Sequence, residues 1–208
     1  MTQQLQSGGF AWPAPRRAAM LCAALVFATV PFGPAWTAAA AASIDGVEMP
    51  PVKQAAGLPL KLNGVGMRTY SMFRIHIYVA GLYLEQPTSD ADAILKSDGA
   101  KLLDIHFVHD VNAEQARDAW VQGFEENCRA PCHLNGQDLL HFLAQVPAFR
   151  RGDESTLLFV GRTVQISLNG RTMGTISDAD FTRAILATFI GPHPPSEPFK
   201  NGLLGMPN

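Results

Sequence analysis

A single arginine carries the first chemical suggestion in this sequence. Arg68 follows Gly66 and precedes Tyr70 in a strand-like stretch with little other charge. A guanidinium held in a half-buried place invites an anion, because it offers a planar fork of donors and keeps its charge when desolvated. Tyr78, on the polar side of the next strand, would bring a hydroxyl donor to the same anion. Spacing alone reads more simply as a surface arginine and a sheet tyrosine, and it does not settle the matter.

The other reactive residue types suggest less. Cys128 and Cys132 would close a short disulfide loop through Arg129-Ala130-Pro131 in an oxidising compartment. A metal site from Cys128, Cys132 and His133 is the alternative. Zinc asks for four ligands, and no second Cys/His cluster stands in the chain, so no metal is expected. The pair is not a Cys-x-x-Cys redox motif. His76, His106 and His109 fall in strand-like segments, and the odd spacing of the last two sends them to opposite faces. They read as surface or satisfied core histidines. No nucleophile elbow, phosphate loop, dinucleotide fingerprint or His-Glu-x-x-His motif is present, and no cofactor is expected. Asn63-Gly64-Val65-Gly66 lacks the following helix that would let it cradle phosphate.

The elements that must position these residues are legible in outline. Ser43 to Pro59 reads as an entry strand or ordered arm. Leu60 to Met72 reads as a strand whose Gly64 and Gly66 signal a bulge or a close backbone approach. From Phe73 to Leu84, the residues Phe73, Ile75, Ile77 and Val79 alternate with Arg74, His76 and Tyr78. That pattern predicts a strand with the first set on its apolar face. Asp90 to Lys96 makes a short helix, and Leu102 to Val108 a strand. Asn112 with Gln115 three residues later forms a capping-box signal for a helix to about Asn127, striped by Ala116, Ala119, Trp120 and Phe124. A second helix spans Gly136 to Gln145. Asn169-Gly170 between strand-like runs predicts a type I′ hairpin. Ser177 or Asp178 caps a last helix through Ile190, and the tail from Pro192 is expected to pack loosely. Strands, two central helices, a hairpin and a closing helix make an α+β domain, its sheet mostly antiparallel and its helices gathered on one side.

The N-terminus carries no acid before Asp45. Arg16 and Arg17 precede an apolar run from Ala18 to Val30, and Ala38 to Ala42 offers small-residue cleavage sites. Residues 1–42 are therefore expected to be a signal peptide and 43–208 the mature domain, periplasmic or secreted. The apolar run is shorter than the roughly 20 residues a bilayer span needs, so no membrane span is expected after cleavage. Removing two arginines and no acid takes the formal charge from −2 to −4. No basic stripe remains, and nucleic acid is excluded as a partner.

Leu62-Asn63-Gly64-Val65-Gly66-Met67-Arg68, followed by His76-Ile77-Tyr78-Val79-Ala80-Gly81-Leu82-Tyr83-Leu84, resembles the opening of chalcone-isomerase-like proteins. The likeness continues through the central helix to Asn169-Gly170, Asp180-Phe181 and Leu186 to Gly191, and is strongest to the exported bacterial branch. It implies an open-faced β-sandwich, with a large antiparallel sheet, helices over one face and a ligand cleft between. Plant members of the family cyclise chalcones, using an arginine to hold the developing anion. Non-catalytic members bind fatty acids, with that arginine and a tyrosine gripping the carboxylate.

Carried onto this chain, Arg68 matches the arginine, and Tyr78 stands where the fatty-acid binders have tyrosine. Asn127 and Thr188 match polar active-site positions of the isomerases. Trp120 and Gly123 stand where the isomerase helix carries a catalytic tyrosine and a lysine. The resemblance thus implies first a binder of a fatty acid or similar amphipathic carboxylate at Arg68 and Tyr78. Its alternative is an isomerase, or intramolecular lyase, using Arg68, Asn127 and Thr188 on a phenolic enone. A scaffold domain without any ligand is the third possibility.

Overall fold

The computed structural model describes residues 41–70 and 73–207. The expected signal peptide, with Cys22, lies outside the described residues except for its last two positions, 41 and 42. Two tight turns build the beginning of the domain. Asp45-Gly46 joins strands β1 (Ala42–Ile44) and β2 (Val47–Met49), and Ala56-Gly57 joins β3 (Val52–Ala55) to β4 (Leu58–Tyr70). All four turn residues have positive φ, as two-residue hairpins of this hand require. The expected single arm is therefore three short strands.

The long strand β4 pairs with β5 (Ile75–Leu84), and β5 with β6 (Lys101–Phe107). Then come β7 (Glu154–Val160), β8 (Thr163–Leu168) and β9 (Arg171–Ile176). From β3 to β9 the seven strands lie in chain order, every neighbouring pair antiparallel. The last hairpin turns on Asn169 (φ 50) and Gly170 (φ 76), the type I′ geometry its dipeptide encodes.

Five helices complete the fold: α1 (Ala91–Lys96), α2 (Ala113–Asn127), α3 (Gly136–Gln145), α4 (Ala179–Ile190) and α5 (Glu197–Leu203). The capping box of α2 is formed in both directions, Asn112 accepting from the Gln115 amide and Gln115 accepting from that of Asn112. Asp178 caps α4 by accepting from the Phe181 amide. Helix α4 is buried along nearly its whole length and packs against α2. Ala80, Leu82 and Leu84 of β5 face the same core as Phe124, Phe142, Phe181 and Ile185 from the helices. An aromatic lattice runs through that core, with Trp120 edge-on to both Phe142 and Phe189.

Two expectations are corrected here. From Tyr78 to Leu84 the even positions of β5 face the helices, whereas the alternation had placed the odd positions on the apolar face; the irregularity that skips Ile77 returns Ile75 to the cavity side, where the alternation puts it. The pattern misleads because the odd face is also covered: Tyr83 is fully buried there, packed with Leu60 and Leu102, and its hydroxyl meets the Met49 sulfur. The tail does not pack loosely. Its helix α5 buries Phe199 and Leu203 against β4. Gly64 and Gly66 make that contact possible, since a Cβ at Gly64 would come within 2.1 Å of the Gly202 carbonyl oxygen, and one at Gly66 within 2.4 Å of that of Phe199. The Gly-x-Gly motif is a seat for a helix, and a bulge between Leu62 and Gly64 accompanies it.

Candidate functional site

Arg68 and Tyr78 are direct partners across the β4–β5 ladder, so their side chains emerge on the same, helix-covered face. A register shift follows immediately after Arg68, of the kind that re-aims a strand's side chains. The Tyr78 ring packs edge-on against Phe107 and Phe199. Burial pushes the Tyr78 hydroxyl up to about 12, with the Arg68 charge pulling it back. The phenol therefore stays protonated and offers a hydrogen bond beside a fixed positive charge.

Both residues line a cavity of about 1130 Å³ between the sheet and the helices. Its walls are apolar at Ile105, Phe107, Phe142, Leu157, Phe181 and Phe189, and its lining also includes the carboxylates of Asp110, Asp118, Glu126, Asp138 and Asp178. Tyr70 and Ile75 also line it while remaining exposed, and so stand at its mouth. A spacious apolar chamber with a few convergent donors is the usual form of a small-molecule site.

The strap from Gly191 to Pro195 closes the arginine's side of the chamber. Arg68 donates through Nη1 to the Pro195 carbonyl at 2.7 Å. Asn127 grips the same strap: its Nδ2 donates to the His193 carbonyl at 2.8 Å, and its Oδ1 accepts from the His193 amide at 3.0 Å. Lys200 adds a bond to the Gly191 carbonyl. Asn127 also donates to the Gly123 carbonyl, so its amide is engaged by backbone on both sides. Thr188 lines the cavity but is buried, and its hydroxyl donates to the Ile185 carbonyl one turn back. The four sequence-derived positions are thus brought to one region, with Arg68 and Tyr78 lining the chamber and Arg68 bonded to the strap through Nη1. Asn127 and Thr188 direct their polar atoms to backbone.

The two residues that depart from the isomerase pattern fit this packing. A Cβ at Gly123 would lie 3.0 Å from both Cβ and Cγ2 of Thr188, so the glycine lets α2 and α4 approach. Trp120 lines the cavity as part of the aromatic lattice. Past α2, Cys128 and Cys132 form the disulfide, tying down the loop that leaves the helix.

A second polar group lies on the opposite face of the sheet. Asp104 is fully buried and holds Lys53 and His106 on one carboxylate oxygen, while Lys53 reaches Glu154 as well. Burial alone would raise the Asp104 carboxyl, but hydrogen bonds from His106 and Lys53 bring it below the usual range. Its hydrogen bond to Asp104 raises His106. Asp104, His106 and Glu154 place ligating atoms within 4.8 Å of one another. The positive charge such a trio would ask of a metal comes from Lys53. Sequence reading missed this partner of His106 although Asp104 stands two residues earlier, on the same face of the strand.

The chalcone isomerase-like family matches residues 41–205 of the chain. Among solved structures, a fatty-acid binding protein of Arabidopsis thaliana is similar in fold, with a TM-score of 0.67 at 16% identity. The match covers 79% of this chain and 96% of that one. No curated protein matches by sequence.

Proposed function

This chain belongs to the chalcone isomerase-like family, and within it we propose a non-catalytic, exported binder of a fatty acid or similar amphipathic carboxylate. The observation that carries the reading is the cross-strand placement of Arg68 and Tyr78 at a chamber with aromatic and aliphatic walls. Arg68, half-buried at the chamber, offers the guanidinium fork that forms the strong, charge-assisted bonds a carboxylate accepts. Tyr78 adds one further donor, and the aromatic and aliphatic walls take the chain. Neither residue need exchange a proton, and the upward shift of Tyr78 makes it a poor acid at neutral pH.

The fatty-acid binding neighbour supports this reading through its fold. An isomerase would ask Asn127 and Thr188 to orient a substrate, and both have their polar atoms bonded to backbone. Export is supported by the sequence of residues 1–42 and by the disulfide, which suits an oxidising compartment.

Calorimetry with a long-chain fatty acid and the alcohol of equal length tests the proposal. The acid should bind at least about tenfold more tightly, as expected for charge-assisted bonds to Arg68. Equal binding of the two, or none by either, would contradict it.

A further inference from the structure

One end of the sheet gathers features that the cavity alone does not use. The β4–β5 turn exposes Tyr70 at 62%, Phe73 at 84% and Ile75 at 38%, and Met173 near the β8–β9 turn is 42% exposed. Tyr70, Ile75 and Met173 also line the cavity, so this apolar edge is continuous with its mouth. The strand registers place these turns, and the loop that leads into β7, at the same end.

That end also carries a row of exposed arginines. Arg74 adjoins Ile75, and Arg151 shares a surface hollow with His76 and His109. Arg150 precedes Arg151, and Arg171 opens β9 just past the turn whose Asn169 bonds Asp153. Among the described residues no ion pair engages these four guanidinium groups. Asp45, Asp110 and Asp153 share the region, bonded to His76, to the Arg151 amide, and to the Arg150 amide and Asn169; a hydrogen bond leaves a carboxylate its charge, so the four arginines outnumber these acids by one. In a chain with a net negative charge, this end carries a small excess of positive charge, with exposed arginines set around exposed aromatic and aliphatic side chains.

We propose that this end of the sheet docks on the surface of an anionic phospholipid bilayer and so presents the cavity mouth to the membrane. Aromatic side chains settle at the headgroup level, and each arginine near an anionic surface adds a favourable increment. The combination of a basic face with exposed apolar side chains is what binds a protein to the interface without spanning it. Docking here would let an amphipathic carboxylate pass between bilayer and chamber without crossing open water. That purpose rests on the binding reading above; the docking itself does not.

Vesicle flotation tests it, with phosphatidylglycerol mixed into phosphatidylcholine set against phosphatidylcholine alone. Protein purified from expressing cells, with the expected signal peptide removed, should float with the anionic vesicles, less so as salt rises. Arg74→Glu combined with Arg171→Glu should weaken that binding by about tenfold or more. Phe73→Ser should weaken it as well, with melting temperature unchanged in both variants. Arg68→Ala should still float, because Arg68 belongs to the chamber; its loss of fatty acid would report on the binding reading alone. Wild-type protein that ignores anionic vesicles, or flotation unchanged by these substitutions at Arg74, Arg171 and Phe73, overturns the proposal whatever the cavity binds.

Discussion

Arg68 of β4 and Tyr78 of β5 face each other across the ladder, and both leave the sheet on the side that the helices cover. This register sets an arginine and a tyrosine of two ordinary strands side by side at the cavity wall. One residue supplies a permanent charge and the other a phenol that burial keeps protonated. The strap bonded to Arg68 and Asn127 then fixes the arginine's position.

Removing only the phenol oxygen isolates its contribution. Tyr78→Phe keeps the ring contacts with Phe107 and Phe199 and deletes one donor. Fatty-acid affinity should fall by about tenfold or more, since a hydrogen bond to a charged carboxylate is worth roughly 1.5–3 kcal/mol. Thermal stability should barely move. Calorimetry beside a melting curve checks both; unchanged affinity would remove Tyr78 from the site.

Asn127 is predicted to act through the strap. Asn127→Ala deletes the bonds to His193 and should destabilise the fold by about 1–3 kcal/mol, since two backbone groups lose partners. It should also weaken fatty-acid binding by loosening the strap that holds Arg68. Denaturant unfolding distinguishes this from a role in chemistry, which would leave stability untouched.

Gly123 offers a test of the lost isomerase pattern. Gly123→Lys restores the family's lysine but places a Cβ against Thr188. Overpacking of this kind costs about 1–3 kcal/mol, so the melting temperature should drop. Gly123→Ala, which brings the Cβ alone, should show a smaller part of the same loss. A gain of enone cyclisation by the lysine variant would contradict the packing account.

The outer-face network makes stability pH-dependent. His106 binds its proton more tightly when folded, chiefly through its hydrogen bond to Asp104 and against the effect of burial. Its contribution is complete below the unfolded value of about 6.5 and is lost as pH rises through the higher folded value. Asp104, lowered in the fold, contributes above its unfolded value near 3.8 and loses that contribution as pH falls through the folded one. Melting temperatures should therefore decline on the alkaline side of 6.5, and His106→Gln should flatten that limb and also shrink the acid limb, because His106 is one of the groups that lower Asp104.

The parts of the fold that were legible in the sequence are those set by local chemistry. Asn112 with Gln115, Asp178, and Asn169-Gly170 each encode their cap or turn through their own side chains or backbone freedom, and each forms as expected. The glycine motif announced a bulge or a close approach, and both occur at Gly64. The proposed anion-holding role of Arg68 came from the family pattern, since spacing alone did not carry it. The face of Tyr78 was misread because β5 is covered on both sides, where alternation loses its meaning. The Ala56-Gly57 turn was hidden by alanine at a left-handed position, although Asp45-Gly46 carried a readable signal. Helix α5 was obscured by the prolines around it, despite Ser196 as its cap. Lys53 meets Asp104 from 51 residues away, and no local pattern encodes such a pairing.

Native mass spectrometry of the protein as purified from cells, beside Arg68→Ala, tests the central claim most directly. The account predicts a fatty acid or similar carboxylate co-purifying with the unmodified chain and absent from the variant, with both equally folded by circular dichroism. A cavity empty in both proteins, or a ligand retained without Arg68, would contradict it.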